Sequence, residues 1–127
     1  MDRRSINAKD APILSGGYAQ AIETTGASRT LHISGQIPMA ADGTVPTEFE
    51  DQARRAWQNV EAQLRAADMS LANLVKHTTF LSDRRYCSAN SKVRQEVLGD
   101  HEAALTVVIT GIYDEAWLLE IEAVAVA

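Results

Sequence analysis

Leu105-Thr106-Val107-Val108-Ile109 and the closing run Trp117-Leu118-Leu119-Glu120-Ile121-Glu122-Ala123-Val124-Ala125-Val126-Ala127 decide how this chain is read. Both are apolar and partly β-branched, and a Gly111…Asp114 turn region separates them, so they read as strands. In the closing run Leu119, Ile121 and Ala123 point one way. Leu118, Val124 and Val126 point the other, in company with Glu120 and Glu122. Both faces of these strands therefore ask for cover. Helices elsewhere in so short a chain shield only one face of a small sheet, which leaves the other for a further copy of the chain to bury. Patterning alone thus predicts an oligomer.

The helices lie upstream. Phe49, Ala53, Ala56, Trp57, Val60, Leu64 and Ala67 form one stripe of a 3.6-residue period. Thr47 stands three residues before Glu50, the spacing of a capping box. Residues 75–82, Val-Lys-His-Thr-Thr-Phe-Leu-Ser, read as a strand. A shorter helix is expected over residues 88–98, with Val93, Val97 and Leu98 inward and Gly99 ending it. Pro12, Gly16-Gly17, Gly26, Gly35, Pro38, Gly43 and Pro46 cut the first third into short pieces. Tyr18–Glu23 and Thr30–Ser34 alternate on either side of Gly26 and read as a hairpin. No repeat or low-complexity segment interrupts the chain. The expected fold class is α+β, one domain over residues 1–127, with a mixed β-sheet and two helices on one of its faces.

Composition narrows the function. The 127 residues are 46% hydrophobic and 23% charged, which suits one globular core and excludes wholesale disorder. A chain of this size exposes roughly 6,600 Å² when folded. No apolar run approaches the ~18–20 residues of a membrane span, and Met1-Asp2-Arg3-Arg4 leads into polar sequence, so no membrane partner and a cytoplasmic location are expected. Twelve Lys+Arg against seventeen Asp+Glu give a net charge of −5, a poor match to the phosphates of nucleic acid. The pairs Arg3-Arg4, Arg54-Arg55 and Arg84-Arg85 read as solvated surface features. Cys87 is the single cysteine, which excludes an intrachain disulfide and any cysteine-based metal site.

His32, His77 and His101 show no metal-ligand spacing, and neither metal nor cofactor is expected. Ser15-Gly16-Gly17 lacks the Lys-Ser/Thr ending of a phosphate loop, and there is no Gly-x-Ser-x-Gly elbow. Glu120 and Glu122 on an otherwise apolar strand have three readings. The strand end flares into solvent, the carboxylates pair with arginines across an interface, or one lines a pocket. Burial in a pocket would raise its pKa and suit it to acid–base work.

Several fragments occur in a telling order: Ala11-Pro12, Gly17-Tyr18-Ala19-Gln20-Ala21, Ile33-Ser34-Gly35-Gln36-Ile37-Pro38, Gln52 to Asn59, Val75 to Asp83, Asn90 and Glu120-Ile121-Glu122-Ala123. In this order they resemble the reactive-intermediate deaminase family (RidA/YjgF type, also labelled endoribonuclease L-PSP) along nearly the whole chain. The resemblance implies a chorismate-mutase-like α+β fold, a homotrimer, and a small-molecule cleft at each subunit interface. It also implies hydrolysis of the C=N bond of enamine/imine acids such as 2-aminoacrylate, giving a 2-keto acid and ammonia without a cofactor. Carried over, Tyr18 would close one wall of the cleft, Ser34 and Gly35 would give polar contacts, Asn90 would border the opening, and Glu120 would position the attacking water.

One departure stands out. Deaminating members carry an arginine for the substrate carboxylate fifteen residues before the first Glu of Glu-Ile-Glu, and that position is Leu105 here. The family's cysteine two residues later is Val107. A charge-assisted arginine–carboxylate contact contributes about 1.5–3 kcal/mol, so weak or no activity on 2-aminoacrylate is expected. Either Leu105 has become core, or the cleft takes a different ligand, with Tyr113 and Trp117 as aromatic walls or as packing residues. The alternative function is a non-catalytic ligand-binding or regulatory member of the same fold. The acidic charge opposes a ribonuclease.

Overall fold

The closing run becomes an inner strand of the main sheet. In the computed structural model, which describes residues 1–13 and 16–127, Ser15 of the Ser-Gly-Gly stretch lies outside the described residues. The strands are β1 (Asp2–Ile6), β2 (Ala21–Thr25), β3 (Thr30–Gln36), β4 (Leu74–Leu81), β5 (Ala104–Ile109) and β6 (Leu119–Val126). The helices are α1 (Phe49–Ala66) and α2 (Cys87–Leu98), with single 3-10 turns at Leu71–Asn73 and Arg84–Tyr86. The four-stranded sheet has the order β3-β6-β4-β5. β6 runs antiparallel to both neighbours, and β4 and β5 are parallel. A parallel pair needs a crossover, and α2 provides it.

One face of the sheet carries the core. Ala123 pairs with Ile33 on one side and His77 on the other, and Ile121 pairs with Thr79, so these side chains share a face. Leu119, Ile121, Ala123 and Ala125 are buried there, against Ala53, Ala56, Trp57, Val60 and Leu64 of α1. The Trp57 ring meets His77 edge-on at 5.1 Å between ring centres. On the opposite face Lys76, Thr106 and Glu122 are exposed, while Phe80, Val108, Glu120 and Val124 are half-buried. The chain exposes 7291 Å², about a tenth more than its size alone predicts.

Helices α1 and α2, strands β4, β5 and β6, and the stop at Gly99 lie where periodicity placed them. Three local expectations are corrected. Residues 21–25 do not form a hairpin with 30–34: β2 pairs antiparallel with β1, Ile22 opposite Ser5. Gly26 does turn the chain (φ +70°). Beyond it the amides of Ser28 and Arg29 donate to the Ala127 carbonyl at 2.8 and 3.0 Å, and Ala127 N donates back to Arg29 O. The C-terminus thereby commits β3 to β6.

The capping box is absent. The N-cap of α1 is Glu48, without a side-chain cap, and Glu50 instead accepts from Lys92 Nζ on α2 at 3.0 Å. Arg3 is not a free surface charge. It donates to Leu74 O at 2.6 Å and to Glu102 O, which fastens the β1–β2 pair to the main sheet. No helix among the described residues is long and apolar enough to cross a membrane.

Candidate functional site

Two clusters of candidate residues form on opposite faces of the sheet. The first surrounds Glu120. The pairing of β3 with β6 is irregular between Ile33 and Gln36, and there the Gly35 backbone comes up against the Glu120 carboxylate. A Cβ at Gly35 would stand 2.1 Å from Glu120 Oε2 and 2.7 Å from its Cδ, so only glycine leaves the carboxylate this place. Glu120 pairs with Phe80 of β4, and the two line a shallow pocket with Thr110 and Tyr113. Tyr113 is almost fully exposed, its ring tilted against Trp117 at 6.4 Å. Ser34 is exposed on β3 and opens onto a separate depression beside Thr78 and Glu122.

The second cluster faces the helices. Leu105 pairs with His77 and Val107 with Thr79, which directs both to the covered face. They line an open groove of about 500 Å³ between β5 and α2, together with Tyr18, Lys92 and Arg94. Tyr18 is delivered by a bridge between Ala19 and Ala104, with Ala19 N donating to Ala103 O at 3.1 Å. The Gly16 carbonyl accepts from Arg94 Nη2 at 3.0 Å and from Gln95 Nε2 at 2.9 Å, which seats this segment on α2. Gly17 lies so close to α2 that a Cβ would stand 2.4 Å from Gln95 Nε2. Asn90 is buried on the inner side of α2, one helical turn before Arg94. Leu105 is half-buried and Val107 exposed, so both are walls of the groove rather than core.

Behind the groove the electrostatics are unusual. His77 is 1% exposed and its Nδ1 has no partner among the described residues. Burial pushes its pKa down to about 4, and the charges of Arg94, His101 and Lys76 push the same way. It is therefore neutral at pH 7. Arg94 is 6% exposed. Burial lowers its guanidinium from the ordinary value, Tyr18 acts in the opposite sense, and a guanidinium remains charged regardless. Cys87 is exposed at the start of α2. Among the described residues no group of three His, Cys, Asp or Glu side chains is placed to hold a metal.

The carried-over residues thus divide. Tyr18, Leu105 and Val107 meet in one groove, with Asn90 one turn away on its α2 wall. Gly35 and Glu120 meet on the other face, and Ser34 lies apart from both. Sequence reasoning missed Arg94, although Asn90, Val93, Arg94 and Val97 fall at i, i+3, i+4 and i+7 on the inner side of α2. It also left Gln52 and Asn59 without individual roles. Gln52 is buried with its amide on Pro46 O and Ala116 O and its carbonyl on Leu118 N. Asn59 holds Ile37 O and Met39 O at 2.8 and 2.9 Å. Both staple the loops beside the Glu120 strand.

This sheet, its two helices and the ordered motifs define a RidA-like α+β protein. The chain belongs to the family described as Endoribonuclease L-PSP, which matches residues 8–127, and so to the RidA/YjgF group. It is 34% identical over 122 residues to a RutC family protein of Pyrococcus horikoshii, covering 94% of each chain. It is 32% identical over 126 residues to the 2-iminobutanoate/2-iminopropanoate deaminase of Capra hircus, covering 98% of this chain and 90% of that one. Among solved structures, YyfB of Yersinia pestis, a protein of unknown function of the conserved Rid family, superposes with a TM-score of 0.85 at 27% identity and full coverage of both chains.

Proposed function

We propose that the chain is a cofactor-free hydrolase of small enamine/imine metabolites, acting in clefts closed between the three copies of a homotrimer. The observation that carries this reading is the division of the site. Glu120 and its cleared space at Gly35 lie on one face of the sheet, and Tyr18, Leu105 and Val107 on the other. One chain cannot bring them together, whereas the Glu120 face of one copy laid against the β5–α2 groove of the next does. The excess exposed area and the half-buried Phe80, Val108 and Val124 on the Glu120 face support the same arrangement. The iminobutanoate deaminase among its relatives supports the chemistry.

In the proposed reaction the enamine first takes a proton on carbon and releases one from nitrogen, becoming an imine whose carbon is electrophilic. A water held by Glu120 adds to that carbon, passing its proton through the carboxylate to nitrogen. The carbinolamine then expels ammonia and leaves the carbonyl product. Leu105 contributes no charge for a carboxylate bonded to the reacting carbon, so 2-aminoacrylate is a poor substrate. That same residue favours the second reading, a non-catalytic member that binds or senses a small ligand.

Sedimentation and imine turnover test the proposal together. Imines released by a flavin-dependent amine oxidase from benzylamine and butylamine, which carry no carboxylate on the imine carbon, compete between semicarbazide and hydrolysis. The protein is expected to sediment as a trimer and divert at least one of these imines, and Glu120→Gln to abolish the diversion without changing the trimer. A monomer, or no diversion of any imine, overturns the hydrolase in favour of the binding reading.

A further inference from the structure

The groove beside Leu105 has a guanidinium of its own. Arg94 reaches it from α2, 94% buried by its 6% exposure, and its Nε is enclosed with no hydrogen-bond partner among the described residues. Its one hydrogen bond among the described residues is Nη2 to the Gly16 carbonyl at 3.0 Å. That staple does not explain the charge, because Gln95 Nε2 reaches the same carbonyl at 2.9 Å with a neutral amide. A buried cation without a counter-ion is costly, and proteins retain one where an anion compensates it. None of the described residues lining the groove is acidic, and the other cation there, Lys92, is held by Glu50 at 3.0 Å.

We propose that Arg94 is the anion anchor of this groove, gripping the carboxylate of a small ligand from helix α2 instead of from position 105 on β5. The inference rests on the proposed hydrolase site and specifies its ligand class. A carboxylate bonded directly to the reacting carbon would lie against apolar Leu105. One held by Arg94 is set off from that carbon, which selects oxo or imino acids with a spacer between the two groups. The guanidinium, through its outer nitrogens at the groove wall, offers a charge-assisted contact, and entry of the anion supplies the counter-charge that the described walls lack.

The test uses 4-oxopentanoate as the spaced acid, 4-oxopentanamide as its neutral counterpart, and pyruvate as the unspaced acid. Affinities come from calorimetry, and the Nε–H resonance of Arg94 is followed in protein carrying 15N-arginine. The acid is expected to bind about tenfold or more tightly than the amide, as a charge-assisted contact requires, and more tightly than pyruvate. It should move the Arg94 Nε–H resonance while the amide does not. Arg94→Gln should erase the acid–amide difference and Arg94→Lys keep part of it. Should Arg94→Gln fail to fold, the resonance in the unaltered protein decides.

Equal binding of acid and amide, tighter binding of pyruvate, no binding of any probe, or an unmoved Nε–H at saturation overturns the anchor. Acid preference and imine turnover, measured on the unaltered protein, separate the two readings. Preference without imine turnover in the unaltered protein refutes the hydrolase alone, and turnover without preference refutes Arg94 alone.

Discussion

His77 makes the folded chain sensitive to mild acid. Its ring is 1% exposed, edge-on to Trp57, with Arg94, His101 and Lys76 as the surrounding positive groups. Its pKa is about 4 when folded against 6.5 for a free histidine. The unfolded chain therefore binds a proton between those values that the folded chain refuses, and stability falls as pH falls through that window. Above 6.5 the contribution is complete. The full gap corresponds to about 3 kcal/mol, of which about 2 kcal/mol is lost by pH 5. For a domain of this size that loss lowers the melting temperature by roughly 7 °C. The carboxyls of Asp42 and Glu50 are held below their ordinary values by Thr44 and by Lys92 respectively. Their stabilisation is lost only below about pH 4.5, so the interval from pH 7.5 to 5 isolates the imidazole. Chemical denaturation at fixed protein concentration across that interval, on the unaltered chain and on His77→Gln, measures the effect. The variant should lose about 2 kcal/mol less than the parent over the interval, whatever its starting stability. Parallel curves, or a His77 ring titrating near 6.5 by NMR, would refute the reasoning.

Two further outcomes follow from the site. Leu105→Arg places a second guanidinium in the groove beside Arg94, so on its own it should gain little turnover of 2-aminoacrylate generated in situ from serine by a dehydratase. Combined with Arg94→Gln it should gain about tenfold or more, the worth of a charge-assisted carboxylate contact; no gain in the double variant would show that position 105 does not face the reacting ligand. Gly35→Ala forces a methyl group onto the Glu120 carboxylate, which must move by on the order of 1 Å and cost about 100-fold in imine turnover. The melting temperature should stay nearly unchanged, because a flexible side-chain end is what yields. Full turnover in that variant would mean the carboxylate's present place is not the working one.

What could be read in the sequence follows from how local each signal is. The α1 stripe from Phe49 to Leu64 repeats over four turns, and β6 alternates between buried and less buried positions, so each declares its own type and inner face. β1 declares nothing. Asp2-Arg3-Arg4-Ser5 is polar on both sides, mostly exposed, and exists because β2 and the Arg3 contacts to Leu74 and Glu102 hold it. The mistaken hairpin has the same origin. Two alternating segments around Gly26 are locally compatible with pairing, and the bonds that prevent it come from Ala127, about a hundred residues away.

The sequence named candidate residues but not their geometry. Parity within a strand says which neighbours share a side. Whether Glu120 and Leu105 share one depends on the β6–β4 and β4–β5 registers, and those put Glu120 with Phe80 and Leu105 with His77, on opposite faces. That placement changes the meaning of the lost arginine. A leucine at 105 first reads as the removal of a charge, yet the groove it lines still contains a guanidinium, carried by the neighbouring helix and lacking an acceptor at Nε among the described residues. An arginine at 105 would bring like charges together in one half-closed space, a cost that no acidic side chain among its described walls would offset. Leu105 and Arg94 are thus a single arrangement, in which the apolar wall leaves the buried cation without a like charge beside it, free for an incoming anion.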